Sequence, residues 1–209
     1  LHGHLRWHQA LGALEHGDTA RALKIYAEVL QPSVTHAPPL NAVTDGASLL
    51  WRLQAYGHPV PDGLWSEADA YAQRAFPRSS IPFADVHMAL FAAATRNSAA
   101  LEERLAVIEK RLAEGKLPAG PVVPTLFRAM SAFAEGDYRG CVARLSPVLD
   151  EVVRIGGSHA QRTLVEDTFI VALMKSGELA RARAMLDQRL HRRPSPRDTR
   201  WLATESGGS

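Results

Sequence analysis

Glycine followed by an acidic residue closes one apolar-periodic segment and opens the next at three places in this chain, and that recurrence limits the folds open to it. Gly17-Asp18, Gly136-Asp137 and Gly177-Glu178 each lie between stretches whose apolar residues recur at three- and four-residue spacing. Such spacing puts the apolar side chains on one face of an α-helix, and glycine supplies the left-handed backbone that ends one. Five residues after each glycine stands a small residue, and four further on a large one: Ala22 and Tyr26, Cys141 and Leu145, Ala182 and Leu186. Small residues let paired helices approach closely and large ones fill the space beside them, so the pattern predicts helical hairpins stacked on one another. Pro194 stops the third unit.

The remaining segments read the same way. Leu5, Trp7, His8, Leu11 and Leu14 form a first stripe, and Ala22 to Leu30 a second that ends at Pro32. Asn41 is the N-cap expected for a third helix closing at Gly57. Further helices are expected near residues 64–75, 83–95, 99–113, 122–134, 138–154, 158–176 and 179–190, and no segment alternates long enough to be a strand. The pattern of small and large residues resembles the second helix of tetratricopeptide (TPR) repeats. The expected fold is all-α: a TPR-like α-solenoid of about ten helices in antiparallel hairpins, with a concave groove. Residues 1–203 form its single domain and residues 204–209 a flexible tail.

Composition narrows the function classes. A chain of 209 residues with 46% hydrophobic and 22% charged residues suits a globular core, and a net charge of +2 is too small to imply a nucleic-acid partner. The basic cluster at His191-Arg192-Arg193 and Arg197 to Arg200 reads as a solvated tail, because no aromatic platform is interleaved with it. One cysteine, Cys141, excludes an intrachain disulfide and a cysteine-based zinc site. No apolar run reaches the ~18–20 residues that span a bilayer, and no signal peptide opens the chain, so a cytoplasmic protein without a membrane partner is expected. The chain starts at Leu1, which leads us to expect further sequence upstream.

Several polar positions interrupt this scaffold. His4 and His8, four residues apart on a helix, project from one face and could share a metal ion or an anion. The glutamate of a zinc-protease helix is missing between them. Asp45, Ser48 and Arg52 fall on one stripe of the third helix, either as an ion network or as a carboxylate and a guanidinium on the concave wall. Asp85 and His87 are about 200° apart around their helix, so they cannot serve one site. His87 shares a face with Leu90 and Phe91 and points inward, whereas Asp85 caps or pairs locally. Ser158 to Gln161 fits a capping box after Gly156-Gly157, which leaves His159 in a first helical turn beside free backbone N–H groups, with Arg162 one turn on. No phosphate-binding loop, dinucleotide fingerprint, nucleophile elbow or calcium loop appears.

Taken together, His4-Leu5-Arg6-Trp7-His8, Glu15-x-Gly17-Asp18, Asp45 to Arg52, Phe83 to His87 and Gly156 to Arg162 resemble, in order, the tetratricopeptide repeat protein 38 family. The resemblance implies a TPR-like fold, places this chain in the C-terminal portion of longer relatives, and marks the histidine and aspartate positions as family motifs around a buried polar pocket. Two functions follow as expectations. The first is a helical-repeat scaffold that binds a protein, a peptide or a small ligand in its concave groove. The alternative is an enzyme, a metal-dependent hydrolase or acid/base catalyst, whose pocket draws on His4, His8, Asp45, Arg52, Asp85, His87, His159 and Arg162. In that version a divalent metal would sit on His4, His8, His87 and His159.

Overall fold

The computed structural model describes residues 2–206. The chain is all-α, with no strand among the described residues. Its helices are α1 (His2–Glu15), α2 (Thr19–Ile25, continued by a π turn over Tyr26–Leu30), α3 (Pro39–Ala55), α4 (Asp62–Ala75) and α5 (Pro82–Ala94). They continue as α6 (Ser98–Ala113), α7 (Val122–Ala134), α8 (Tyr138–Leu145), a 3₁₀ segment (Leu149–Ile155), α9 (His159–Ser176), α10 (Leu179–Arg192) and α11 (Pro196–Ser206).

The hairpin turns share one geometry. Gly17, Gly136 and Gly177 have φ between 81° and 84°. In each turn the glycine N–H donates three residues back, and the next residue's N–H donates five back (Asp18 to Ala13 at 2.9 Å, Asp137 to Ala132 at 2.8 Å, Glu178 to Leu173 at 2.9 Å). That pair of bonds satisfies helix-end carbonyls and requires a left-handed residue at the glycine position. Asp18 and Asp137 then cap α2 and α8 by accepting from the N–H three residues on. A fourth turn, between α5 and α6, makes the same bonds but places Arg96 at the left-handed position, with φ of 55°. Ala22, Cys141 and Ala182 are 0% exposed, as are Tyr26, Leu145 and Leu186 beyond them, so the small–large pattern lies wholly within the packed interior.

Four expectations are corrected. The third helix begins at Pro39, with Pro38 rather than Asn41 at its cap, because proline has no N–H to orphan and a φ preset for a first turn. The segment expected as one helix over 138–154 breaks after Leu145, where Pro147 lacks a helical donor, and resumes as the 3₁₀ segment. The basic stretch expected to be a solvated tail is the end of α10 and the first turn of α11, and Arg197 in it is 7% exposed. Of the expected flexible tail, residues 204–206 belong to α11 and residues 207–209 lie outside the described residues.

Helices α1, α3, α5 and α7 pack in sequence, and α9 also packs on α3. Every residue of α3 from Ala42 to Leu53, and of α5 from Phe83 to Ala93, is therefore buried. No side of α3 is left as an open groove. Trp51 fixes the α3–α9 contact, its Nε1 donating to Thr168 Oγ1 at 2.9 Å. The consequence for function is direct. The polar residues on α3 and α5 lie in the interior, where each must find a partner or leave a costly vacancy.

Candidate functional site

Asp167 of α9 is the hub of the largest buried polar network. It is 2% exposed and accepts from Tyr56 Oη at 2.6 Å, Arg189 at 2.8 Å and Arg197 at 3.1 Å, with Arg52 Nε at 3.5 Å. Burial alone would raise its pKa, but the Arg197, Arg189 and Arg52 guanidiniums outweigh this and hold the carboxyl well below the usual range. Asp198 balances the same arginines, 2.9 Å from Arg189 Nε and 3.0 Å from Arg197. Ser195 Oγ donates to Glu15 of α1, which ties α11 to the start of the fold. Arg52 is held twice more, by Ser48 Oγ on its own helix and by the Ala160 carbonyl at 2.7 Å.

Above this network lies a cavity of about 250 Å³. Its floor is Arg52, Tyr56, Asp167 and Arg197, and His8, His159 and Arg193 stand exposed around its mouth. The His8 imidazole is pushed below its ordinary value by the protein around it and by His4, against the pull of Asp45. The backbone N–H of Arg193 donates to the Arg189 carbonyl, but its guanidinium has no ion-pair or hydrogen-bond partner among the described residues. Glu15 also lines the cavity, and with Arg189 and Asp198 behind the floor three arginines (Arg52, Arg189, Arg197) stand against three carboxylates (Glu15, Asp167, Asp198), so Arg193 leaves the cavity with a positive charge.

A second polar centre borders the first. Asp45, 2% exposed, takes His4 Nδ1 at 2.9 Å through Oδ2. Its Oδ1 makes no hydrogen bond, although the Gln161 amide lies near enough to favour the charged carboxyl. Burial raises the Asp45 pKa, and His4 opposes that shift. The His4 ring stacks on Trp7, with centroids 5.1 Å apart and planes at 15°, and meets His8 edge-on at 4.9 Å.

The expected site residues therefore divide. His8, Arg52 and His159 share the cavity, and His4 and Asp45 pair beside it. Asp45 and Arg52 were expected on one stripe, but they serve different partners. Asp85 lies elsewhere, bound to Arg104 at 2.8 Å and to Ser79 and Ser80 of the preceding loop, so it is a local structural carboxylate. His87 is buried, with Nδ1 2.7 Å from the Phe83 carbonyl; burial first, and Arg52 as well, push its pKa down to about 4. Arg162 donates to the Gly157 carbonyl and faces a separate cleft. Among the described residues no three His, Cys, Asp or Glu side chains gather as ligands of one metal, so His4, His8, His87 and His159 do not form the expected metal set. Cys141 is buried, and its thiol is pushed up to about 12 by that burial.

Sequence reasoning missed Glu15, Tyr56, Asp167, Arg189, Arg193, Arg197 and Asp198. One signal was legible: Asp167 stands between Val165 and Phe169 on a helix whose apolar residues continue around it, and such a carboxylate must be paired. Comparison with protein-family models and with solved structures found no match to this chain.

Proposed function

We propose that this chain is a TPR-like helical-repeat scaffold whose cavity between α1, α3, α9 and α11 binds a small anionic ligand. The scaffold reading rests on the three hairpins whose turn, small residue and large residue fall in register. The proposed kinship with the tetratricopeptide repeat protein 38 family rests on the segments His4 to His8, Glu15 to Asp18, Asp45 to Arg52, Phe83 to His87 and Gly156 to Arg162. The binding reading rests on one observation: the cavity's floor is charge-compensated while Arg193 stands unpaired at its mouth, beside His8 and His159. At about 250 Å³ the space lies just below the ~300–1,000 Å³ of drug-sized pockets, which fits a small carboxylate or phosphate rather than a folded partner. His8 and His159 at the same mouth also support a second reading, acid/base turnover of the bound anion.

Isothermal titration with inorganic phosphate and with acetate tests the binding reading. Saturable binding of either is expected. An arginine hydrogen bond to an anion contributes about 1.5–3 kcal/mol, so Arg193→Ala should weaken binding roughly 10- to 100-fold, with Arg183→Ala on α10 unchanged. No binding of either anion, or equal affinity in Arg193→Ala, overturns it.

A further inference from the structure

The pairing of His4 with Asp45 has a chemical consequence outside the anion cavity. An ionised carboxylate only accepts, so His4 Nδ1 carries the hydrogen of that 2.9 Å bond and Nε2 keeps its lone pair. Nε2 has no partner among the described residues, and the side chain is 24% exposed, so a ligand can reach it. The ring is fixed on both sides, by the Asp45 bond and by the Trp7 stack. An acceptor in a set orientation is the result.

His4 lines a cleft of about 460 Å³ that shares no lining residue with the anion cavity. The cleft's other walls are mainly apolar, from Leu40 of α3, Ile81 and Phe83 at the start of α5 and Ile155 of the 3₁₀ segment, with Asn41, Gln161 and the Gly156-Gly157 backbone completing them. Thr44 opens on the same cleft. It is 1% exposed and its hydroxyl has no hydrogen-bond partner. A threonine within a helix ordinarily satisfies itself on the carbonyl four residues back, and this one does not. A buried, unsatisfied hydroxyl next to an apolar-walled cleft is a vacancy that a ligand's polar group would fill. The lip of the cleft is constrained as well. Gly157, with φ of 78°, lies so close to the Phe83 ring that an added Cβ would fall 2.4 Å from Phe83 Cε2.

We infer that this cleft is a second binding site, for a small neutral molecule with an apolar body and one O–H or N–H group, which it donates to His4 Nε2. A carboxylate ligand would meet the Asp45–His4 pair acceptor to acceptor. An apolar molecule without a donor would leave Nε2 and Thr44 Oγ1 desolvated and unpaired.

Phenol and toluene are matched probes, identical in ring and differing in the donor. Long-range ¹H–¹⁵N NMR at about pH 8, above the usual imidazole range near 6.5, reads the tautomer of His4 directly. The expected spectrum shows a protonated Nδ1 and a bare Nε2 whose nitrogen resonance moves as phenol is added. Phenol should bind at least about tenfold more tightly than toluene, and His4→Phe, which keeps the Trp7 stack, should abolish that difference. A protonated Nε2 in the unliganded protein, equal affinity for the two probes, or no phenol binding would overturn the inference. The tautomer measurement needs no variant, so a poorly folding His4→Phe does not shield the idea.

Discussion

Asparagine at position 167 removes one charge while keeping the side chain's size. Arg52, Arg189 and Arg197, all buried, then face a neutral amide that cannot accept on both sides, and Tyr56 loses its 2.6 Å acceptor. Replacing a whole buried ion network by apolar residues is often neutral. Removing one partner leaves uncompensated buried charge and costs about 3–5 kcal/mol. That is a large part of the ~5–15 kcal/mol of a typical domain, but not all of it, so Asp167→Asn should remain folded in buffer. Urea titration followed by tryptophan fluorescence would show the midpoint falling by roughly 1–2 M at a slope near 2–3 kcal/mol/M. The acid limb supplies a second readout. Asp167's folded pKa is depressed below the ~3.9 of an unfolded aspartate, so its contribution is fully present above that value. The contribution is lost as pH falls further, toward the folded pKa. The gap between wild type and variant should therefore narrow as pH falls from about 4 to about 2. A loss below ~1 kcal/mol at pH 7, or a gap that does not change with pH, would refute the hub argument.

His87 should stay neutral in the folded state well into acid. Its folded pKa of about 4 lies below the ~6.5 of an unfolded histidine, so its contribution is complete above pH 6.5 and is lost as pH falls toward 4. An NMR titration in which His87 protonates above pH 6 would contradict this placement. Arg96→Gly should stabilise the protein by roughly 0.5–1 kcal/mol, because it relieves a left-handed non-glycine residue whose side chain makes no hydrogen bond or ion pair among the described residues, while the backbone bond from its N–H to Ala93 is kept. A lower melting temperature in that variant would mean the Arg96 side chain contributes a contact not evident in its geometry.

Local rules carried the legible part of the fold. The Gly-Asp turns, the small–large spacing and the capping box at Ser158 depend on neighbours within a few residues, and all three are in place; Ser158 Oγ accepts from Gln161 N–H and Gln161 Oε1 from Ser158 N–H. The break between residues 95 and 99 was placed, but its kinship with the Gly-Asp turns was not seen because its left-handed residue, Arg96, is not glycine. At the candidate site His8, Arg52 and His159 were found, since histidine and arginine on otherwise apolar helices stand out. The Asp167 network was not. Its members come from residues 15, 52, 56, 167, 189, 197 and 198, and no spacing rule links positions so far apart. Arginines in a proline-broken, apolar-poor stretch read as solvated, and only the tertiary contact of α11 with α1 and α10 shows otherwise.

The bond from Ser195 to Glu15, and that from Arg200 to the Glu15 carbonyl at 2.9 Å, join positions 180 and 185 residues apart. Hairpins such as α1/α2 and α7/α8 can close as soon as they leave the ribosome, because their partners are adjacent in sequence. The floor of the cavity between α1, α3, α9 and α11 cannot. It stays open on one side through most of synthesis, and Arg52 and Asp167 lack their last cation and cover until α11 docks. The anion binding proposed for that cavity would therefore be acquired late, and an anion held there would stabilise only chains that have folded through residue 200.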